Sequence, residues 1–243
     1  MNDLDRARES QIARGLEQAK KRVVAACQTF GRVNVDGKEP VTLIVVTKTH
    51  PATDVEILRH LGVHHVGENR DQEARAKSEL SPPDLTWHMI GQIQRNKINS
   101  IARWADVIHT CDRSDLVNPL SRAAETHGKL LDVLIQVNLD PQAPANRGGA
   151  LPQELLPLAE HVNAAVGLTL RGLMAVAPHP STGIDPGSAF KRLAGLSAAL
   201  VQEFPHATEI SAGMSEDLEA AIEHGATHVR LGSAILGARP TVQ

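Results

Sequence analysis

The sequence alternates between short apolar runs and helical stretches, and after residue 40 it does so eight times. Apolar runs rich in Val, Ile and Leu are typical of parallel strands buried on both faces. The predicted strands are 41–47, 63–67, 85–90, 106–110, 130–138, 168–174, 207–211 and 227–231. The helices that follow them are predicted at 52–61, 69–80, 94–103, 114–127, 152–164, 187–203, 215–224 and 233–237. Eight strands, each followed by a helix, are the number that closes a (β/α)8 TIM barrel.

An open, doubly wound sheet is the alternative fold that this alternation allows. No Gly-x-Gly-x-x-Gly motif follows the first strand, which disfavours a dinucleotide-binding sheet. The connections are too short for a second domain, and the Pro- and Gly-rich loop 139–151 is the one segment predicted to be mobile. We therefore expect residues 1–243 to form a single α/β barrel domain.

An amphipathic helix is predicted over residues 3–30, ahead of the barrel. Its apolar residues recur with a period close to that of an α-helix and are Leu4, Ile12, Leu16, Ala19, Val23 and Cys27. Gly31 ends the helix. We expect residues 1–31 to pack on the barrel as an additional N-terminal helix.

The composition restricts the class of function. A formal net charge of −3 gives no electrostatic reason to bind nucleic acid or an anionic membrane. The N-terminus has no apolar signal segment, and no apolar run is long enough to span a bilayer. Cys27 and Cys111 lie far apart and are expected to be reduced. The sequence predicts a cytoplasmic protein without nucleic-acid or membrane partners.

The first predicted strand is followed by Lys48, whose amine would lie at the mouth of the barrel. A desolvated lysine amine loses its proton more easily and becomes a nucleophile. The structural alternative is a lysine that extends from the strand end into water. Taken alone, this stretch favours that alternative.

The loops after the seventh and eighth strands both contain glycine and serine, and these loops often bind phosphate in TIM barrels. Gly213 lets the backbone approach a ligand, and Ser215 is predicted to cap the next helix. Gly232 and Ser233 open the short last helix. Backbone amides at such helix starts bind anions. Arg230 precedes the second loop and points either into the barrel or to a salt bridge at its rim.

A lysine that faces a phosphate site across the barrel suggests a phosphorylated aldehyde held as a Schiff base. Pyridoxal 5′-phosphate (PLP) has both groups, and an arginine can face its pyridine nitrogen. Arginine does not release its proton, so it would leave that nitrogen unprotonated and weaken the ring as an electron sink. The sequence therefore predicts a PLP site.

Six segments resemble the pyridoxal phosphate homeostasis proteins (the YggS/PROSC group). They are 46–49 (Val-Thr-Lys-Thr), 66–69 (Val-Gly-Glu-Asn), 87–97, 172–175 (Gly-Leu-Met-Ala), 211–217 and 230–237. The resemblance extends over most of the chain, from about residue 10 to residue 240. It implies the barrel of alanine racemase, fold type III among PLP proteins, without that enzyme's second domain.

The resemblance also implies a role for individual residues. Lys48 carries PLP as a Schiff base, Asn69 lines the ring, and Arg230 faces the pyridine nitrogen. The phosphate is held by Ser215, Gly232 and Ser233, and Ser211 and Met214 complete the implied site. Where the family often has a second lysine, this sequence has His50.

The function implied by the resemblance is intracellular PLP homeostasis, with release from Lys48 by transimination to free amino acids or apo-PLP enzymes. The alternative is a racemase-like enzyme on the same barrel. Alanine racemases also need a tyrosine from a partner's C-terminal domain, whereas this sequence has no tyrosine and ends at Gln243. We therefore expect a monomeric binding protein rather than an enzyme. A third alternative is a class I aldolase, with Lys48 bonded directly to a sugar phosphate.

Other polar residues have structural interpretations that we favour. His88 is expected to form hydrogen bonds at a barrel end, although it could approach the site. Glu68 is expected to pair with an arginine rather than to orient Lys48. His64 and His65 are adjacent and face opposite sides of a strand, so we predict no metal site.

Overall fold

The computed structural model describes residues 3–34, 39–140 and 148–238. Its strands are β1 (Thr42–Val46), β2 (His65–Glu68), β3 (Thr86–Met89), β4 (Val107–Cys111), β5 (Leu131–Gln136), β6 (Leu168–Met174), β7 (Glu209–Ser211) and β8 (His228–Leu231). Its helices are α1 (Asp3–Thr29), α2 (Ala52–His60), α3 (Asp71–Ser78), α4 (Ile98–Trp104), α5 (Val117–Thr126), α6 (Leu155–Ala164), α7 (Pro186–Glu203), α8 (Leu218–Glu223) and α9 (Ser233–Leu236).

The strands are parallel and close into one barrel in the order β1 to β8. Closure is made by β8 beside β1, with Leu43 opposite Val229 and Ile44 opposite Arg230. The predicted TIM barrel is confirmed, and the predicted strands and helices differ from the observed ones by a few residues at their ends. The loop predicted to be mobile falls mostly on residues 141–147, which lie outside the described residues.

The barrel has an aliphatic layer outside the strands and a polar group of side chains inside them. Outward residues such as Val45 and Val66 are fully buried in the main apolar cluster, together with helix residues such as Leu58. Polar residues are also buried, among them His88 and His109. Since parallel strands are covered on both faces, polar side chains in the interior must find partners with one another.

The helix α1 packs on the barrel along its apolar face. The predicted face residues from Ile12 to Cys27 are buried, while the side chain of Leu4 lies outside the described residues. Gly15 brings α1 close to α9, because a Cβ atom at Gly15 would lie 2.5 Å from the Ile235 carbonyl oxygen. Arg22 forms an ion pair with Glu219 of α8 at 2.9 Å.

Substitution of Gly15 tests this helix contact. We expect Gly15→Ala to lower the free energy of unfolding by about 1–3 kcal/mol, because the added methyl group must displace the α9 backbone. The matched control is Gly195→Ala in α7, where a Cβ atom would meet no atom within 4 Å. This control should be neutral or up to about 1 kcal/mol more stable. Equal unfolding free energies for the two variants in urea would contradict the close approach of α1 and α9.

Candidate functional site

A small cavity of about 190 Å³ lies at the carboxyl ends of β1, β7 and β8. It is lined by Val46, Lys48, His50, Met214, Ser215, Arg230, Gly232, Ser233 and Gly237. Six of the eight residues predicted for the site are among them. The carboxyl ends of barrel strands are where TIM-barrel sites form.

Lys48 lies two residues beyond the end of β1 and is half-buried. The residues on both sides of it are fixed. Thr47 is fully buried, and its hydroxyl group donates to Glu68 Oε1 at 2.6 Å. Thr49 has a φ of 66°, a left-handed conformation that a β-branched residue rarely adopts, and its amide donates to Glu73 Oε2 at 2.9 Å. The backbone around Lys48 is therefore held by contacts with the neighbouring β2–α3 unit.

The partner of Glu68 is Lys77 of α3, so the predicted pairing with an arginine is wrong. Lys77 Nζ lies 2.6 Å from Glu68 Oε1 and donates to the Thr47 carbonyl oxygen at 2.8 Å. Burial raises the pKa of Glu68, and the charge of Lys77 acts in the opposite direction. This buried pair ties the end of β1 to β2 and α3.

The loops after β7 and β8 form the opposite wall. Gly232 lies so close to β1 that a Cβ atom on it would be 3.1 Å from the Val46 carbonyl oxygen. Ser233 is the first residue of α9, as predicted. The prediction that Ser215 caps α8 is wrong, because α8 begins at Leu218 with Asp217 in the cap position. A turn from Met214 to Asp217 delays the helix, with the Met214 amide donating to Asp217 Oδ1 at 2.6 Å.

Arg230 is 5% exposed and lines the inner end of the cavity, so it points inward rather than to a salt bridge at the rim. Its Nη1 donates to Ser211 Oγ at 2.6 Å, and its Nη2 donates to the Ala175 carbonyl oxygen at 3.0 Å. Among the described residues, no carboxylate forms an ion pair with it. Burial lowers the pKa of Arg230 to about 10, against the charge of Asp217, and the guanidinium remains protonated at neutral pH.

The other two predicted residues, Asn69 and Ser211, do not line the cavity. Ser211 is fully buried behind Arg230 and accepts its hydrogen bond. Asn69 directly follows β2, and its side-chain oxygen is buried without a hydrogen-bond partner among the described residues. A buried oxygen without a partner destabilises the folded protein unless a ligand or a water molecule donates a hydrogen bond to it.

His50 also lines the cavity, although the sequence pattern gave it no role. Its Nδ1 lies 3.3 Å from Asp54 Oδ2, and Asp54 is paired with Arg8 of α1. Burial lowers the pKa of His50, and the charge of Asp54 opposes this shift. The imidazole is therefore a neutral group beside Lys48, and its spacing two residues after the lysine is the signal that could have identified it.

Four histidines occupy the barrel interior behind Arg230. His88 is buried and lies between His65 and His109, with ring nitrogens 3.0 and 2.8 Å from theirs. The predicted hydrogen bonding of this strand histidine is therefore found, but it takes place inside the barrel with rings of both neighbouring strands and not at a barrel end. His228 lies beside this group, with its ring centre 6.5 Å from those of His88 and His109. Burial lowers the pKa of all four imidazoles, that of His228 to about 4.

Comparison with known proteins identifies the family. The alanine racemase N-terminal domain family matches residues 33–240. A pyridoxal phosphate homeostasis protein of Mycobacterium bovis is 41% identical, with 96% of this chain and 94% of the relative covered. A protein of the same name from Corynebacterium glutamicum is 44% identical, with 82% and 91% covered. The chain belongs to the pyridoxal phosphate homeostasis protein family.

A solved structure is also similar to this chain over most of the chain's length. The structure of PipY of Synechococcus elongatus with PLP bound has a TM-score of 0.74 and 32% identity. The match covers 88% of this chain and 100% of PipY. The family resemblance inferred from the sequence motifs is thus confirmed, together with the alanine racemase type of barrel.

Within residues 3–34, 39–140 and 148–238, no three His, Cys, Asp or Glu side chains are grouped so as to hold a metal ion. In the same ranges, no helix is both long enough and apolar enough to cross a membrane.

His228→Asn tests the effect of a histidine inside the barrel on stability at acid pH. The folded protein keeps His228 neutral below pH 6.5, where the unfolded chain binds a proton. Its stabilising contribution is fully present above about pH 6.5 and is lost as the pH falls towards about 4. Between about pH 7 and about pH 4.5, we expect the wild type to lose about 2 kcal/mol more unfolding free energy than H228N.

The comparison with a variant is needed because two carboxyl groups, of buried Glu68 and half-buried Glu209, act in the opposite direction. Burial raises the pKa of Glu68 and of Glu209, the latter to about 7, so their contribution is lost as the pH rises. His206→Gln changes an exposed side chain and should keep the wild-type pH dependence. If urea unfolding shows the same loss of stability at acid pH in H228N and in the wild type, the neutral state of His228 in the folded protein is contradicted.

Proposed function

We propose that this chain is a PLP-binding protein of intracellular PLP homeostasis, which holds the cofactor as a Schiff base on Lys48. In this proposal it releases the cofactor by transimination with another amine. The observation that carries the proposal is that one small cavity has Lys48 on one wall and the buried guanidinium of Arg230 on another. The relatives named for PLP homeostasis and the PLP-bound structure of PipY support it.

The charge of Arg230 fits the ring of PLP. A buried cation without a carboxylate partner is stabilised by an electron-rich or anionic ligand. Arg230 gives two hydrogen bonds to described residues, and a guanidinium has five N–H groups. A remaining N–H group can donate to an unprotonated pyridine nitrogen. Because arginine keeps its proton, this contact binds the ring without strengthening it as an electron sink.

The opposite wall fits a phosphate group. A side chain at Gly232 would crowd the Val46 carbonyl oxygen, so glycine lets the loop after β8 lie against the end of β1. Ser215 and Ser233 contribute hydroxyl groups to the same wall. The first amides of a helix have no partner within it, which adds the Ser233 amide to the available donors. In our proposal these three residues hold the phosphate.

Asn69 does not line the cavity itself, but its buried side-chain oxygen lacks a partner among the described residues, and in our proposal it lines the ring. Bound PLP supplies an aldehyde carbon that primary amines attack, and Lys48 supplies such an amine. The strained turn at Thr49 and the buried Glu68–Lys77 pair fix the backbone from which that amine extends. His50 is a neutral imidazole on the same wall and can take up the proton that an incoming ammonium group must lose.

The second candidate function is racemisation of an amino acid on the same barrel. His50 is the observation that favours it, because Lys48 and His50 are two proton carriers in one cavity. The relatives, however, are named for homeostasis of PLP and for no reaction. The tyrosine that alanine racemases use is absent from the sequence. We therefore propose a binding protein.

The remaining parts of the proposal concern its surroundings. We propose that residues 1–243 form one PLP-binding domain with α1 as part of it, and that the protein acts as a monomer in the cytoplasm. The cofactor would pass to free amino acids or to apo-PLP enzymes. A cavity open at the barrel mouth supports exchange with small amines, because these can reach Lys48 without opening of the barrel.

Lys48→Ala tests the covalent link. Wild-type protein mixed with PLP should show a visible absorbance band, and borohydride reduction should leave a pyridoxyl group on the peptide that contains Lys48. The variant should show neither, because Lys48 supplies the one amine among the described residues that line the cavity. The matched control, Lys191→Arg, changes an exposed lysine and should keep both signals. A pyridoxyl group on another lysine of the wild type would contradict the assignment.

Incubation of the loaded protein with amino acids tests release against racemisation. We expect added L-alanine to lower the protein-bound absorbance band in a concentration-dependent way, since a free amine replaces Lys48. Chiral chromatography should find no more D-alanine than free PLP produces. Sustained formation of D-alanine that is lost in His50→Ala would instead support the racemase.

A further inference from the structure

A continuous series of hydrogen bonds runs through the barrel interior and ends on Arg230. From Arg230 Nη1 to Ser211 Oγ the distance is 2.6 Å, and from Ser211 Oγ to His109 Nδ1 it is 3.0 Å. His109 Nε2 lies 2.8 Å from His88 Nδ1, and His88 Nε2 lies 3.0 Å from His65 Nδ1. We call His65, His88, His109 and Ser211 the histidine network.

The histidine network spans the barrel from one end to the other. His109 of β4 and Ser211 of β7 are on strands that do not pair, so their hydrogen bond crosses the interior. His65 is the first residue of β2 and lines a second cavity, of about 640 Å³, at the amino ends of the strands. Arg230 lines the candidate PLP cavity at the carboxyl ends.

One direction along the network gives every hydrogen-bond donor between Arg230 and His65 an acceptor. Arginine can only donate, so Ser211 Oγ accepts from Arg230. The described partners of Ser211 Oγ are Arg230 and His109, so its hydroxyl proton is directed to His109 Nδ1. A neutral imidazole with an acceptor Nδ1 carries its proton on Nε2. The same assignment then follows for His88 and for His65.

We propose that the histidine network fixes the orientation of the Arg230 guanidinium, so that its members are positioning residues for the cofactor ring. This inference rests on the proposed function only where it concerns the cofactor. Each member fixes the tautomer of the next, because a buried donor without an acceptor is unfavourable. Loss of the acceptor at His65 leaves the Nε2–H group of buried His88 unpaired. The resulting change of tautomers reaches Ser211, which would then accept from both His109 and Arg230.

The ring tautomers can be tested in the protein without PLP. Nitrogen-15 NMR of histidine-labelled protein at neutral pH should find His65, His88 and His109 uncharged, each with its proton on Nε2. The signals are assigned with single His→Asn variants. A proton on Nδ1 of any of the three, or a charged ring, would overturn the single direction of the network.

The effect on Arg230 is tested with substitutions at the far end of the barrel. His65→Leu removes the terminal acceptor, and it should shift the Arg230 side-chain NMR signals and weaken PLP binding about tenfold. His65→Asn keeps an acceptor oxygen near the position of Nδ1 and should restore both. His64→Leu is the matched control, because His64 is exposed, lines the same second cavity and is no member of the network.

These outcomes separate the network from the proposed function. If the wild type binds no PLP, the proposed function is wrong. The histidine tautomers and the Arg230 NMR signals still test whether the histidine network orients Arg230. If the wild type binds PLP and H65L changes neither the affinity nor the Arg230 signals more than H64L does, the positioning role is wrong. Unfolding midpoints of all variants confirm that each is folded at the temperature of measurement.

Discussion

The polar interior of this barrel surrounds a buried positive charge that has no ion-pair partner among the described residues. Arg230 lies in the interior, where a carboxylate would normally accompany it. Its described partners are instead a hydroxyl group and a backbone carbonyl oxygen, which orient the guanidinium and leave its charge in place. The interior around it is polar and neutral, because burial lowers the pKa of the neighbouring histidines. Such a charge favours an electron-rich ligand in the adjoining cavity.

The backbone that carries Lys48, on the other side of the cavity, is fixed both before and after this residue. The Glu68–Lys77 pair is buried and also holds the Thr47 carbonyl oxygen, so the chain just before Lys48 is fixed. The left-handed Thr49 fixes the chain just after it. Backbone strain of this kind persists where surrounding contacts maintain it, and it often accompanies a functional site. A rigid base for the amine suits a residue that holds a ligand.

The fold could be predicted from the sequence because the spacing of apolar residues reveals each strand and helix locally. Eight strand–helix units favour a closed barrel, and the missing Gly-x-Gly-x-x-Gly motif disfavours the open sheet. Lys48, Arg230 and Gly232 could be placed in one cavity because each lies near a strand's carboxyl end. The ion-pair partner of Glu68 could not be predicted from the sequence, because the position of Lys77 depends on the rotation of α3 about its axis. The hydrogen bond between β4 and β7 depends on the stagger of strands around the barrel, which has no sequence pattern. The prediction that Ser215 caps α8 was wrong, because a turn closed by the hydrogen bond from the Met214 amide to Asp217 precedes the helix.

We propose that PLP binds between Lys48 and Arg230. A crystal structure of the protein soaked with PLP tests it most directly. Continuous electron density should run from Lys48 Nζ to the ring, with the pyridine nitrogen at Arg230 and the phosphate beside Ser233. Density for PLP elsewhere, or a ring in this cavity whose nitrogen faces away from Arg230, would contradict the claim.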